Sequence, residues 1–274
     1  MRILVTNDDG IDSIGLHLLA RAMLRHGEVV VAAPDREYSG AGAAVGALHL
    51  IQPEVQRATI EGIDSAWAVT GPPALCVMFA QLGLFDGPFD LVVAGINPGA
   101  NVGRAVYHSG TVGAAITARN SGVSGVAVSQ AVTGFGIEGQ GWDEMLLDQK
   151  WETAAAIADV VVEGLLAAPP AEPVVLNVNV PNLPLHEIKG WKRADVGIAP
   201  PRTMASATLE AKEGHTGGYY VRMSWGEPVE LPLDIDGGLV EAGEVTISDL
   251  SRLYSVDMPQ ATGAEEAVGR LLGA

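Results

Sequence analysis

The chain has 274 residues, 48% of them hydrophobic, and a single cysteine. That is enough apolar material for a sizeable α/β core, and it excludes both an intramolecular disulfide and a multi-cysteine metal cage. Sixteen basic residues against 33 acidic ones leave a net charge of −17, which argues against nucleic-acid polymers and anionic membranes as partners.

In chain order, residues 2–6 read as a short buried strand, and residues 14–25 place apolar side chains on one helical face. The acidic loop Asn7-Asp8-Asp9-Gly10 lies between them. Residues 28–33 suit a second strand, followed by a Gly-rich loop over 34–46. Residues 66–69 suit a short strand and 73–82 a helix with proline at its first position. A third clear strand, 90–94, enters a loop over 95–103 that contains three glycines and two asparagines. Helical periodicity resumes over 110–120, then a strand over 123–129, a long helix over 151–167 and a strand over 174–178. This alternation predicts an α/β fold with a doubly wound, mainly parallel sheet. Residues 181–232 lack helical periodicity and read as a β-hairpin extension, with a returning strand over 243–249 and a closing helix over 263–272. The expected organisation is a core of residues 1–180 carrying the site, and a segment 181–274 that packs back or onto a partner subunit. No apolar stretch has the length of a membrane span and the chain opens on a strand, so a cytoplasmic location is expected.

Ligands of open α/β sheets bind beyond the carboxyl ends of the strands. Asp8 and Asp9 follow the first strand, Ser39 lies in the loop after the second, and Asn97 follows the third. These all-oxygen groups suit a hard divalent cation better than zinc. Adjacent carboxylates repel unless a cation neutralises them; the alternative is that Asp9 or Asp12 caps the first helix while Gly10 permits the turn. The 95–103 loop allows close backbone approach to a ligand. Ser109-Gly110-Thr111 opens a helix whose free N–H groups and dipole favour an anion, and Ser109 can cap that helix as well. His108 is the only histidine beside this anion site, as a candidate acid or an ordinary surface residue. No lysine precedes Lys150, so a phosphate here has no Walker-type lysine. The Gly40-Ala41-Gly42 to Gly46 run matches a dinucleotide-binding turn poorly, because Pro34-Asp35-Arg36 separates it from the strand. Cys76 is expected to be buried and inert.

Taken together, Asn7-Asp8-Asp9-Gly10, Pro34-Asp35-Arg36 with Ser39-Gly40, Gly95-Ile96-Asn97 through Asn101-Val102-Gly103, and Ser109-Gly110-Thr111-Val112 resemble the SurE survival-protein family of metal-dependent nucleotidases. The match covers about residues 1–130, with a weaker echo at Asn177-Val178-Asn179-Val180-Pro181. The resemblance implies a Rossmann-like core and a C-terminal hairpin or tail exchanged within homodimers or homotetramers. It implies one divalent metal per subunit, Mg²⁺ or Mn²⁺ with Ca²⁺ able to occupy the site, held by Asp8, Asp9, Ser39 and Asn97. The expected reaction is hydrolysis of nucleoside 5′- or 3′-monophosphates by metal-activated water. Asp8 and Asp9 are the catalytic carboxylates, Asn101, Ser109, Gly110 and Thr111 hold the phosphoryl group, and His108 is a possible acid. The alternatives are a non-catalytic nucleotide-binding protein and a phosphatase for a non-nucleotide metabolite.

The family's usual Gly-Thr-Pro-x-Asp-Cys is replaced by Gly71-Pro72-Pro73-Ala74-Leu75-Cys76, which removes the expected helix cap. His108 stands where a tyrosine is usual, and Ser248-Asp249-Leu250 replaces a common Thr-Pro-Leu. The nucleoside pocket is expected among residues 134–141 and 189–225.

Overall fold

Strand residues alternate between two buried layers. In β1 (Arg2–Thr6), Ile3 and Val5 enter one apolar cluster while Leu4 enters another. The same alternation holds in β2 (Glu28–Pro34), where Val29 and Val31 face opposite to Val30 and Ala32, and in β5 (Leu91–Pro98), where Leu91 and Val93 face opposite to Val92 and Ala94. Strands buried on both faces carry helices on both faces. Helices α1 (Ile14–Met23) and α5 (Trp151–Ala167) cover the first cluster through Leu16, Leu19, Ala154 and Ala158. Helices α2 (Pro73–Gln81) and α3 (Gly110–Asn120) cover the second through Cys76, Val77, Ala114 and Ala118.

The computed structural model describes residues 1–133, 142–198, 203–255 and 262–272. Its remaining elements are β3 (Val55–Ile60), β4 (Ile63–Val69), β6 (Ser124–Gln130), α4 (Trp142–Met145), β7 (Val175–Val180), β8 (Gly190–Arg193), β9 (Met204–Ala211), β10 (Tyr219–Trp225), α6 (Asp236–Glu241), β11 (Glu244–Asp249) and α7 (Thr262–Leu272). One nine-stranded sheet has the order β3-β4-β2-β1-β5-β6-β7-β11-β8, and β9 and β10 form a separate two-stranded antiparallel hairpin. From β4 to β7 neighbouring strands are parallel. β3 pairs antiparallel with β4, and β11 is antiparallel to β7 but parallel to β8. Strand order reverses between β1 and β5, because the chain winds from β1 outward through β2 and then returns to β1's other side.

The expected doubly wound sheet is present, with three local differences. The predicted loop over 95–103 is strand as far as Pro98: a register irregularity between Ala94 and Asn97 lets β5 rejoin β6 at Asn97↔Ser129. Gly95 makes this possible, with φ of +133° and a position where a Cβ would stand 2.3 Å from the Val128 carbonyl oxygen. β3 and β8 carry mostly exposed, polar sequences and therefore lack an apolar run. Helix α6 has two glycines directly after its first residue and forms because it packs closely; a Cβ at Gly238 would lie 2.0 Å from the Pro232 carbonyl oxygen.

Asp236, fully buried at the start of α6, joins three distant segments. Its carboxylate accepts from the N–H groups of Gly103 at 3.0 Å, Gly197 at 2.9 Å and Gly237 at 2.8 Å. Replacing it leaves three donors unsatisfied in the interior. Asp236→Ala is therefore expected to cost about 3 kcal/mol or more of stability, read from urea unfolding midpoints; an unchanged midpoint would show that the carboxylate does not tie these segments together.

Candidate metal and phosphate site

The crevice between the carboxyl ends of β1 and β5 is the switch point at which open α/β sheets bind ligands. β1 ends at Thr6, and the buried Asn7 side chain closes the following turn: its Nδ2 donates to the Gly10 carbonyl at 3.0 Å and its Oδ1 accepts from the Gly10 N–H at 3.3 Å. Gly10 has φ of +105°, in the left-handed region that favours glycine. Helix α1 then starts after Ser13 without any side-chain cap. Neither Asp9 nor Asp12 serves as that cap.

Asp8 is 2% exposed. One carboxylate oxygen accepts from the Gly110 N–H at 3.1 Å and the other from the Thr111 hydroxyl at 2.5 Å. The first turn of α3 thus directs its dipole and a free N–H at Asp8. Gly110 must lack a side chain for this, since a Cβ would stand 2.8 Å from both Cβ and Oδ2 of Asp8. Burial raises the Asp8 pKa above its ordinary value, and the bonds from Thr111 and Gly110 oppose the rise.

Asp9 has no such support. Its Oδ2 is buried without a hydrogen-bond partner. Burial first, then the charges of Asp8 and Glu37, push its pKa up to about 8. A buried, partnerless carboxylate oxygen beside a second carboxylate suits a cation, which would satisfy the one and neutralise both. Among the described residues no group of three or more His, Cys, Asp or Glu is gathered to hold a metal, so any further ligands here would be neutral oxygens. Asn97 fits that role: its Nδ2 donates to the Gly99 carbonyl at 2.6 Å, which leaves Oδ1 free to bind. Ser39 is exposed on a loop fixed on both sides, by the Tyr38 N–H to the Asp8 carbonyl at 2.7 Å and by the Gly42 N–H to the His108 carbonyl at 2.9 Å. Gly113 permits this loop to lie on α3, because a Cβ there would be 2.2 Å from the Gly42 carbonyl oxygen. Two carboxylates, a hydroxyl and an amide oxygen fit a hard divalent cation.

Around this pair, the residues expected to hold phosphate have differing environments. Ser109 caps α3, its Oγ accepting from the Val112 N–H at 3.1 Å, so its own hydroxyl hydrogen remains for another acceptor. Gly110 and Thr111 direct their donors at Asp8. Asn101 is buried in an amide network: its Nδ2 donates to Ser129 Oγ at 2.8 Å, its N–H to Asn179 Oδ1 at 2.7 Å, and its carbonyl accepts from Asn177 Nδ2 at 2.8 Å. The Asn-x-Asn pattern of β7 is the signal in the sequence for this support. His108 is exposed at the mouth of α3. The supporting roles of Asn7 and Gly113, and the repulsion of Asp9 by Glu37, leave no sequence signal, because none of these contacts is apolar or periodic.

Pro72 starts α2 without a side-chain cap, and Leu75 is fully buried beneath Gly71, where a Cβ would meet Leu75 Cδ2 at 2.5 Å. Cys76 is also fully buried, and burial pushes its thiol well above its ordinary pKa. Its burial is as expected, and a thiol in such surroundings is a poor nucleophile. Residues 134–141, one side of the expected nucleoside pocket, lie outside the described residues, and no helix among the described residues is long and apolar enough to cross a membrane.

Comparison with known proteins places the fold and the family. The chain is 33% identical over 254 residues to a protein of Marinomonas sp. named 5′-nucleotidase SurE, covering 91% of each chain. It is 34% identical over 264 residues to the Haemophilus influenzae protein of the same name, covering 93% of this chain and 95% of that one. The crystal structure of the SurE protein from Aquifex aeolicus superposes with a TM-score of 0.74 at 26% identity, over 98% of this chain and 99% of that one. The Survival protein SurE family model matches residues 3–202, and the chain belongs to that family.

Proposed function

We propose that this protein is a metal-dependent phosphomonoesterase that hydrolyses nucleoside 5′- or 3′-monophosphates. The single observation that carries the proposal is the partnerless, buried Oδ2 of Asp9 beside Asp8 at the sheet's switch point. The names of the relatives support the substrate class. Asp8, Asp9, Ser39 and Asn97 would hold one divalent cation, with Mg²⁺ and Mn²⁺ the metals suited to it and Ca²⁺ able to occupy the same oxygens. When bound, that cation supplies Lewis acidity to a phosphoryl oxygen and makes a water more acidic.

The residues of the chain do the rest. Asp8 is held in one orientation by Gly110 and Thr111 and acts chiefly as a fixed ligand. Asp9 has a free oxygen and takes the proton from the attacking water. The Ser109 hydroxyl, whose hydrogen is uncommitted, positions a phosphoryl oxygen for in-line attack; Gly110 and Thr111 act through Asp8, and Asn101 fixes the adjoining loop through Ser129, Asn177 and Asn179. His108, exposed at the site's rim, delivers a proton to the leaving alkoxide.

The exposed hairpin supports a homodimer or homotetramer formed by exchange of the C-terminal segment. β9 and β10 expose Leu209, Tyr219, Val221 and Met223, and a lone two-stranded hairpin is marginally stable in water. A cytoplasmic setting is consistent with the single inert cysteine.

Three outcomes test this function. Asp9→Asn is expected to lower kcat/KM for nucleoside monophosphates at least about a hundredfold with circular dichroism unchanged, and chelator is expected to silence the parent enzyme until Mg²⁺ or Mn²⁺ is restored. Phosphate release that survives both treatments would end the proposal. Gly110→Ala, which displaces Asp8, is expected to weaken metal binding and activity by about 10- to 100-fold, measured by metal titration and initial rates.

The third outcome concerns pH. Asp9 titrates from 3.8 in ordinary surroundings but at about 8 in the metal-free fold. Between these values the unfolded chain has released a proton that the fold retains, so stability falls as pH rises. Melting temperatures of metal-free protein should therefore decline from pH 5 to pH 8, and saturating metal should flatten the decline. A rise over that range would show that Asp9 is not a protonated, buried carboxyl.

A further inference from the structure

The last turn of α3 buries a cation that forms no ion pair among the described residues. Arg119 is 5% exposed; its Nη1 donates to the Leu250 carbonyl at 2.5 Å, while its Nε is buried with no partner. The ion pairs among the described residues include neither Arg119 nor Arg252. A guanidinium stays protonated even when buried. Burial and the neighbouring Arg252 nonetheless press its pKa down, against the smaller opposing effects of Tyr254 and Asp249. An uncompensated interior charge is costly.

Beside Arg119 opens a cavity of about 400 Å³ whose polar lining includes Glu172, Asp249, Ser251, Arg252 and Tyr254. Asp249 offsets Arg119 only in part and stands 3.9 Å from Arg193, and Glu172 is exposed, so neither carboxylate forms an ion pair with the two arginines. The cavity lies at the opposite end of α3 from Asp8; Gly110 and Arg119 are separated by roughly 14 Å of helix rise.

We propose that this hollow binds a small oxyanion, gripped between the Arg119 and Arg252 guanidinium groups. A guanidinium presents N–H donors in a planar fork that matches the oxygens of phosphate or carboxylate. A cavity of this volume admits a compact metabolite bearing such a group. The chain's net charge of −17 opposes casual anion binding elsewhere on the surface.

The test is calorimetric titration of inorganic phosphate and, separately, succinate into metal-free full-length protein carrying Asp9→Asn, at matched ionic strength. Saturable binding of either anion at one site per chain is expected, and which of the two binds identifies the oxyanion. Adding Arg252→Gln should weaken it at least about tenfold, and Arg119→Gln should abolish it. In the otherwise unaltered enzyme, Arg252→Gln should leave phosphate-ester hydrolysis unchanged. Should Arg119→Gln impair folding, the exposed Arg252 still decides the matter. Failure of both anions to bind, or binding unaffected by Arg252→Gln, would overturn the proposal.

Discussion

The contact between the Asp8 carboxylate and the first turn of α3 is the constraint on which the site rests. It joins the end of β1 to residues 110 and 111, across the reversal in strand order, and places a negative charge at the positive end of a helix. Several local features follow from that one contact. Position 110 has no room for a Cβ, the Ser39 loop must lie low enough for Tyr38 to bond the Asp8 carbonyl, and position 113 must be bare for Gly42 to pass. Because the helix dipole is spent on Asp8, Asp9 receives no comparable help. The asymmetry between the two neighbours is built into the backbone: one carboxylate is held, the other is left free.

A strongly acidic chain that attracts an anionic phosphate ester faces an electrostatic difficulty. No lysine is available in the first 149 residues, and the carboxylates of the site add negative charge where the ester must dock. A divalent cation resolves both conflicts, the repulsion between Asp8 and Asp9 and the repulsion between protein and substrate. Buried amide groups give the surroundings rigidity without charge. Asn101, Asn177, Asn179 and Ser129 bond one another beneath the loop that follows β5, and their hydrogen bonds fix its path where an ionic network would have altered the field at the metal.

Much of this architecture is legible in the sequence where the determining interaction is local or apolar. The runs Ile3-Leu4-Val5 and Val29-Val30-Val31 could hardly form anything but strands buried on both sides, and Pro73 and Ser109 mark helix starts by their own chemistry. The four proposed oxygen donors lie at or beyond the carboxyl ends of β1, β2 and β5. What escaped notice depends on contacts far apart in the chain. Asp8 and Gly110 are separated by 102 positions and Gly103 and Asp236 by 133, so neither leaves a periodic trace. The clearance that Gly110 and Gly113 provide in the fold leaves no trace in the sequence, because the atoms they make room for, on Asp8 and Gly42, are set by the tertiary fold. β3 and β8 lie at the two ends of the sheet order, where exposure removes the apolar signal by which a strand is usually recognised.

The position of β11 has a consequence for how the molecule comes into being. β8 follows β7 in the chain, yet the two are not neighbours in the sheet, and β11 fills the space between them. On a ribosome, β7 would emerge with an open edge and β8 with no strand to join, until residues 244–249 were synthesised. An open edge of that kind is a template for wrong pairing, and pairings across long stretches of chain form slowly. Closure of the sheet is therefore a late event in the life of a nascent chain, and it coincides with the burial of Asp236 a few residues upstream. The growing polypeptide can bring its paired carboxylates against α3 long before it can protect its own flank.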